Sequence, residues 1–112
     1  MKKETLQKRT KIANDIMYYI YTHIETNIDI EELSIDLGVS KFHMHRIFKE
    51  AFGKNIYESI KSIRLQKASN LLLTNKYSTI SNIVNLCGYS SQSSFIKIFK
   101  DRFGMSPKEW KN

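Results

Sequence analysis

The phrase RIFKEAFG runs from Arg46 to Gly53, and KIFKDRFG returns fifty-one residues further on, from Lys97 to Gly104, in a chain of 112 residues. This repeat constrains the fold more than any single residue, because both copies must adopt the same local structure. Charge class and aromatic positions recur, and each copy closes on glycine, which enters the left-handed region without strain at a helix end. Extended towards the N-terminus, Ile30, Leu33, Leu37, Gly38 and Ser40 align with Ile80, Ile83, Cys87, Gly88 and Ser90 at an offset of fifty. Met44 and Phe48 align with Phe95 and Phe99 at fifty-one, so the second copy carries one extra residue after its glycine.

The sequence around the repeat predicts an all-α chain. Proline occurs once, at Pro107, and no stretch sustains the period-two alternation of a strand. Asp29, with Glu32 three residues on, caps IEELSIDL, and Ser40 opens KFHMHRIFKEAF, which Gly53 closes. Asn55 with Glu58 opens a long helix to about Thr74, and Thr79 opens ISNIVNLC. Ser90 or Ser91 opens the helix ending before Gly104, and Ser106-Pro107 starts a last short one, with proline where its missing N–H costs nothing. Upstream, Ile12, Ile16, Ile20 and Ile24 mark one amphipathic helix over roughly Thr5 to Glu25. Seven helices result, divided as an N-terminal helix with a first helical pair (1–54), a linker helix (55–75) and a second pair with a short terminal helix (76–112).

A short helix, a tight turn at LGVS or CGYS and a longer second helix describe a helix-turn-helix in each copy. Hairpins repeated for packing, as in solenoids, are shorter and directly adjacent, whereas here a helix of about twenty residues intervenes. On a helical wheel Met44, Ile47, Phe48, Ala51 and Phe52 face inward, and Phe42, His45, Arg46 and Lys49 form the opposite stripe. In the second copy Phe95, Ile98, Phe99 and Phe103 turn inward, and Gln92, Ser93, Ile96, Lys97 and Lys100 turn outward. The wheel thus predicts an exposed phenylalanine and an exposed isoleucine on otherwise polar stripes. Thymine methyl groups would supply their apolar partner, while Arg46, Lys97 and Gln92 carry the donors that read guanine and adenine edges.

Charge agrees. Lys and Arg number 18 against 11 Asp and Glu, a formal net charge of +7 that suits nucleic acid or an anionic membrane surface. No outward face is broadly apolar, and no run is long enough to span a bilayer, so no membrane partner is expected. The basic leader MKKETLQKRTK has no apolar segment behind it and is not a secretory signal. The single cysteine, Cys87, fits a reducing cytoplasm and takes the place of Leu37 in the repeat, which makes it a small core residue rather than a nucleophile. His43 and His45 stand two residues apart on a helix and point about 200° from one another, so they cannot share a metal ion. No enzymatic constellation, cofactor or metal site is expected. The competing class is a basic helical protein-interaction module, which leaves the two matched polar stripes unexplained.

The linker helix would be about 30 Å long at 1.5 Å per residue, close to the ~34 Å turn of B-DNA. Two similar reading heads would then address one site from a single chain. GYSSQSSFIKIFKDRFGMSPKEW and SIRLQKASNLL resemble the signature and linker helix of the AraC/XylS family of bacterial transcription regulators, and the resemblance extends from about Ile12 to Trp110.

The resemblance implies sequence-specific binding of double-stranded DNA near promoters by a domain monomeric on DNA, with recruitment or occlusion of RNA polymerase in the cytoplasm. It places base reading on Phe42, His45 and Arg46 in the first head, and on Gln92, Ser93, Ile96 and Lys97 in the second. Phosphate contacts would come from Ser40, Lys41, Ser90 and Ser91 at the helix starts, with Lys49 and Lys100 facing phosphate or solvent. Arg64 in the linker motif is expected to pair structurally, with phosphate contact second. Trp110 and Lys111 stand where the family more often has tyrosine and arginine, and His45 and Ile96 are untypical readers. Most members add a sensing or dimerisation domain. Upstream of Met1 none is expected, a C-terminal effector domain beyond Asn112 is conceivable, and otherwise the chain resembles the family's small stand-alone activators.

Overall fold

Every helix after the first starts where a capping side chain stands. The computed structural model describes residues 3–74 and 78–111, with side chains at 6–74 and 78–111. It contains α1 (Lys3–Thr22), α2 (Ile30–Leu37), α3 (Lys41–Phe52), α4 (Ile56–Thr74), α5 (Ile80–Leu86), α6 (Gln92–Phe103) and α7 (Pro107–Lys111), with no strand among the described residues. Asp29, Ser40, Thr79 and Ser91 each accept the backbone N–H three residues on with a side-chain oxygen, satisfying one donor that the first helical turn would otherwise leave unpaired. Asn55 and Glu58, and again Ser106 and Glu109, bond reciprocally ahead of α4 and α7. The extra residue of the second copy is Ser90, because Ser91 takes the capping role that Ser40 has in the first.

The chain divides into two compact units. The first comprises the residues up to His23 together with Asn27–Lys61, and the second comprises Ile24–Thr26 together with the residues from Ser62 onward. In the first unit α1 packs on α3, as does α2. Its buried apolar side chains are Ala13, Ile16 and Ile20 from α1, Ile30 and Leu33 from α2, Met44, Ile47 and Phe48 from α3, and Ile56 and Ile60 from α4. The wheel placed Ala51 and Phe52 here as well. Both are exposed, because they occupy the last turn of α3, where Phe52 lays its ring against Phe48 at 4.8 Å and leaves its other face open.

The second unit is built on Leu65, Ala68, Leu72, Ile83, Val84, Cys87, Phe95 and Phe99, with Trp110, Phe103 and Tyr89 packed against them. Cys87 is fully buried and burial pushes its thiol up to about 11, so it is packing and not a thiolate. Trp110 Nε1 donates to the Ser69 carbonyl at 3.2 Å and Lys111 Nζ to the Ser78 carbonyl at 2.6 Å, which ties α7 down despite its five residues. Along α4 Ile56, Ile60, Leu65, Ala68 and Leu72 are buried, while Ile63 and Leu71 are only partly buried.

α1 ends at Thr22, three residues short of the sequence-based limit, and the reason lies in Arg64. Its Nε donates to the Ile24 carbonyl at 3.2 Å and its Nη2 to the Thr26 carbonyl at 2.9 Å, so the guanidinium serves backbone acceptors released beyond the helix. Lys67 pairs with Glu25 in the same segment. The structural role expected of Arg64 is thus what the side chain performs. Ile24 itself is buried, although it lies outside the helix whose periodicity first picked it out.

Candidate nucleic-acid interface

In the first unit α3 turns Phe42, Arg46 and Lys49 to solvent along one stripe, with Lys41 exposed at its start. Phe42 is 79% exposed, and no packing requirement of this unit accounts for so large an apolar surface. Ser40 lends its hydroxyl oxygen to the His43 N–H at 3.0 Å, which leaves the hydroxyl proton available to an outside acceptor. The first backbone N–H groups of α3 lie beside it and concentrate partial positive charge at that end.

His45 is partly buried, its ring 5.5 Å from that of Tyr57. Burial first, and the nearby Lys41 ammonium second, hold its pKa below the usual imidazole value. The ring is therefore neutral at neutral pH and offers one donor and one acceptor. A ring-carbon NMR titration of the free protein should show a midpoint below about 6.5. Between that midpoint and about 6.5 the unfolded chain takes up the proton before the folded chain does, so His45 lowers stability as pH falls through this window and is neutral above it. An unshifted midpoint would remove the assignment of burial at this ring.

In the second unit α6 exposes Gln92, Ser93, Lys97 and Lys100, and Ser90 is exposed ahead of it. Ser91 is partly buried, caps Ser94 N–H at 3.3 Å and shares a hydrogen bond with the Ser93 hydroxyl at 3.0 Å. Ile96 differs from expectation. It is partly buried and packs against the core cluster, because the stripe at Phe95 and Phe99 is wide enough to draw in its neighbour. Of the two apolar side chains expected to stand free on the outward stripes, only Phe42 does so.

Two contributors to the first face were not foreseen. Glu50 accepts from Arg9 of α1 and lies 3.8 Å from Arg46 Nε, while Tyr57 stands beside His45. The four-residue spacing of Arg46 and Glu50 is a visible helical pair, whereas Arg9 and Glu50 are forty-one residues apart and share no periodic signal.

Residues 33–112 match the model of a family described as a helix-turn-helix domain. The xylose operon regulatory protein of Escherichia coli K12 is 32% identical over 96 residues, which cover 86% of this chain and 24% of the relative. The chain thus spans about a quarter of the length of these relatives. A probable transcription factor of Proteus vulgaris, PqrA, is 33% identical over 102 residues, covering 89% of this chain and 83% of the relative. Among solved structures, the C-terminal domain of AraT, a response regulator from Geobacillus stearothermophilus, superposes with a TM-score of 0.82 at 29% identity, over 89% of this chain and 83% of that one. The DNA-binding domain of the transcriptional factor AdpA, solved with a target DNA, shares the fold with a TM-score of 0.80 at 22% identity, covering 88% of each chain.

Proposed function

We propose, because the chain belongs to the AraC/XylS family of helix-turn-helix transcription regulators, that it is a sequence-specific binder of double-stranded DNA that controls transcription. The observation that carries this reading is the pair of matched helices, α3 and α6, each capped by serine and each exposing a cationic, hydrogen-bonding stripe in a chain of net charge +7. Each helix enters a segment of the major groove. Phe42, His45 and Arg46 read bases from α3, and Gln92, Ser93, Lys97 and the open edge of Ile96 read them from α6. Ser40, Lys41, Ser90 and Ser91 hold phosphates together with the N–H groups of the first helical turns, and Lys49 and Lys100 add charge beside the backbone. No catalytic step is assigned to the chain. It acts in the cytoplasm, binds DNA as a monomer through both units, and communicates with RNA polymerase.

Selection of bound duplexes from a random pool by the purified protein tests the reading directly. Two short conserved blocks about ten base pairs apart are expected. Arg46→Ala and Lys97→Ala should each relax preference at a different base pair, at a cost of about 1–3 kcal/mol on the selected site. Equal losses on selected and random DNA would reduce both side chains to phosphate contacts. No enrichment, with tight binding to an acidic protein instead, would favour a basic interaction module.

A further inference from the structure

We infer that Glu50 is a positioning residue for Arg46, anchored from α1 by Arg9, and that this three-residue relay sharpens the base preference of the first unit. The inference rests on the reading of Arg46 as a base contact given above. Arg46 is an exposed side chain on a long flexible stem, and such a group discriminates between bases only when its guanidinium is held in one orientation. Glu50 supplies a fixed point. One carboxylate oxygen, Oε2, accepts from Arg9 Nη2, and the other, Oε1, faces Arg46 Nε at 3.8 Å.

The ends of the relay differ in freedom. The Arg9 side chain is 23% exposed and rises from a helix packed on α3, whereas that of Arg46 is 63% exposed. Order therefore passes outward, from Arg9 through Glu50 to Arg46. An exposed pair four residues apart contributes little by itself, but a carboxylate held from a second helix has lost much of the freedom that makes such pairs weak. The carboxylate lies at Nε, which leaves both terminal nitrogens of Arg46 free, the pair that fits O6 and N7 of guanine. Arg9 also offsets the negative charge that Glu50 would otherwise bring towards phosphate. The second copy supplies a contrast: its equivalent residues are Lys97 and Asp101, and no ion pair joins them.

The test measures relative affinity for the selected duplex and its single base-pair variants, using the whole chain. Arg46→Ala first identifies the base pair that Arg46 reads. Glu50→Gln and Arg9→Met should each reduce discrimination at that pair by roughly three- to tenfold and leave the other positions unchanged. Asp101→Asn should change no preference, and Glu50→Gln placed on Arg46→Ala should add nothing. Arg9→Met removes a partly buried group and can weaken folding, whereas Glu50→Gln keeps the size and an acceptor for Arg9, and urea melts separate the two effects. Unchanged discrimination in Glu50→Gln overturns the relay, and so does an equal loss at every base pair or an undiminished effect without Arg46. If Arg46→Ala relaxes no base pair, the base-reading assignment itself fails and Glu50 has nothing to position.

Discussion

Gly88→Ala is expected to destabilise the second unit by about 3–5 kcal/mol, while Gly38→Ala at the matching place in the repeat costs about 1–2 kcal/mol. Both glycines have positive φ, 79° and 69°, so both substitutions carry the strain of placing an L side chain in the left-handed region. They part company in their surroundings. A Cβ on Gly38 meets nothing within 4 Å, whereas on Gly88 it would lie 2.4 Å from the Ile24 carbonyl oxygen and 3.0 Å from Arg64 Nε. The carbonyl is backbone and cannot rotate away, so the Ile24–Thr26 segment must move and the Arg64 hydrogen bonds loosen with it. Urea unfolding followed by the fluorescence of Trp110, the single tryptophan, reads the second unit directly. Equal costs at the two glycines would show that the approach of the Ile24 carbonyl is unimportant.

Phe99→Ala should cost the same unit about 3–5 kcal/mol. The ring is fully buried and meets Phe103 at 4.5 Å, Phe95 at 5.6 Å and Trp110 edge-on at 5.8 Å. Its removal takes away apolar burial, leaves a cavity, and deprives three aromatic neighbours of a packing partner. Phe99→Leu, which refills most of the volume, should recover the greater part of that loss. The functional consequence follows from the helix: α6 carries Phe99 inward and Lys97 outward, so an alanine core should blur the base preference assigned to Lys97 even with excess DNA present. An unchanged unfolding midpoint in Phe99→Ala would mean that the aromatic cluster does not hold α6.

The sequence made local structure legible because local structure is set by nearby residues. Asp29, Ser40, Thr79 and Ser106 are legible as caps from their own side chains, and Asp29 and Ser106 also from a glutamate three positions on; each performs that role. Gly53 and Gly104 closed α3 and α6 as the repeat required. What escaped was set by distant neighbours. A wheel ranks Ile96 as outward, but it cannot weigh how far the cluster around Phe95 and Phe99 extends. It likewise places Phe52 inward without knowing that one face of its ring, in the last turn of α3, stays open. Leu65 is buried on α4 with no cap or repeat to mark it, and the partners of Arg9 and Arg64 lie thirty-eight to forty-one residues away. Of the residues proposed to read bases, the exposed ones are visible in the sequence as a stripe, while the contact of Glu50 with Arg9 is not.

The segment Ile24–Thr26 has a consequence for how this chain comes into being. It precedes α2 in sequence, yet it belongs to the unit otherwise built from Ser62 onward. Synthesis therefore delivers one wall of the second unit before most of the first exists, and that wall must wait forty residues for Arg64 and longer for Gly88. The two copies of the repeat are consequently not interchangeable cassettes. A graft that carried only the residues from Ser62 onward would bring the guanidinium fork and the glycine notch without the carbonyls they were shaped to receive.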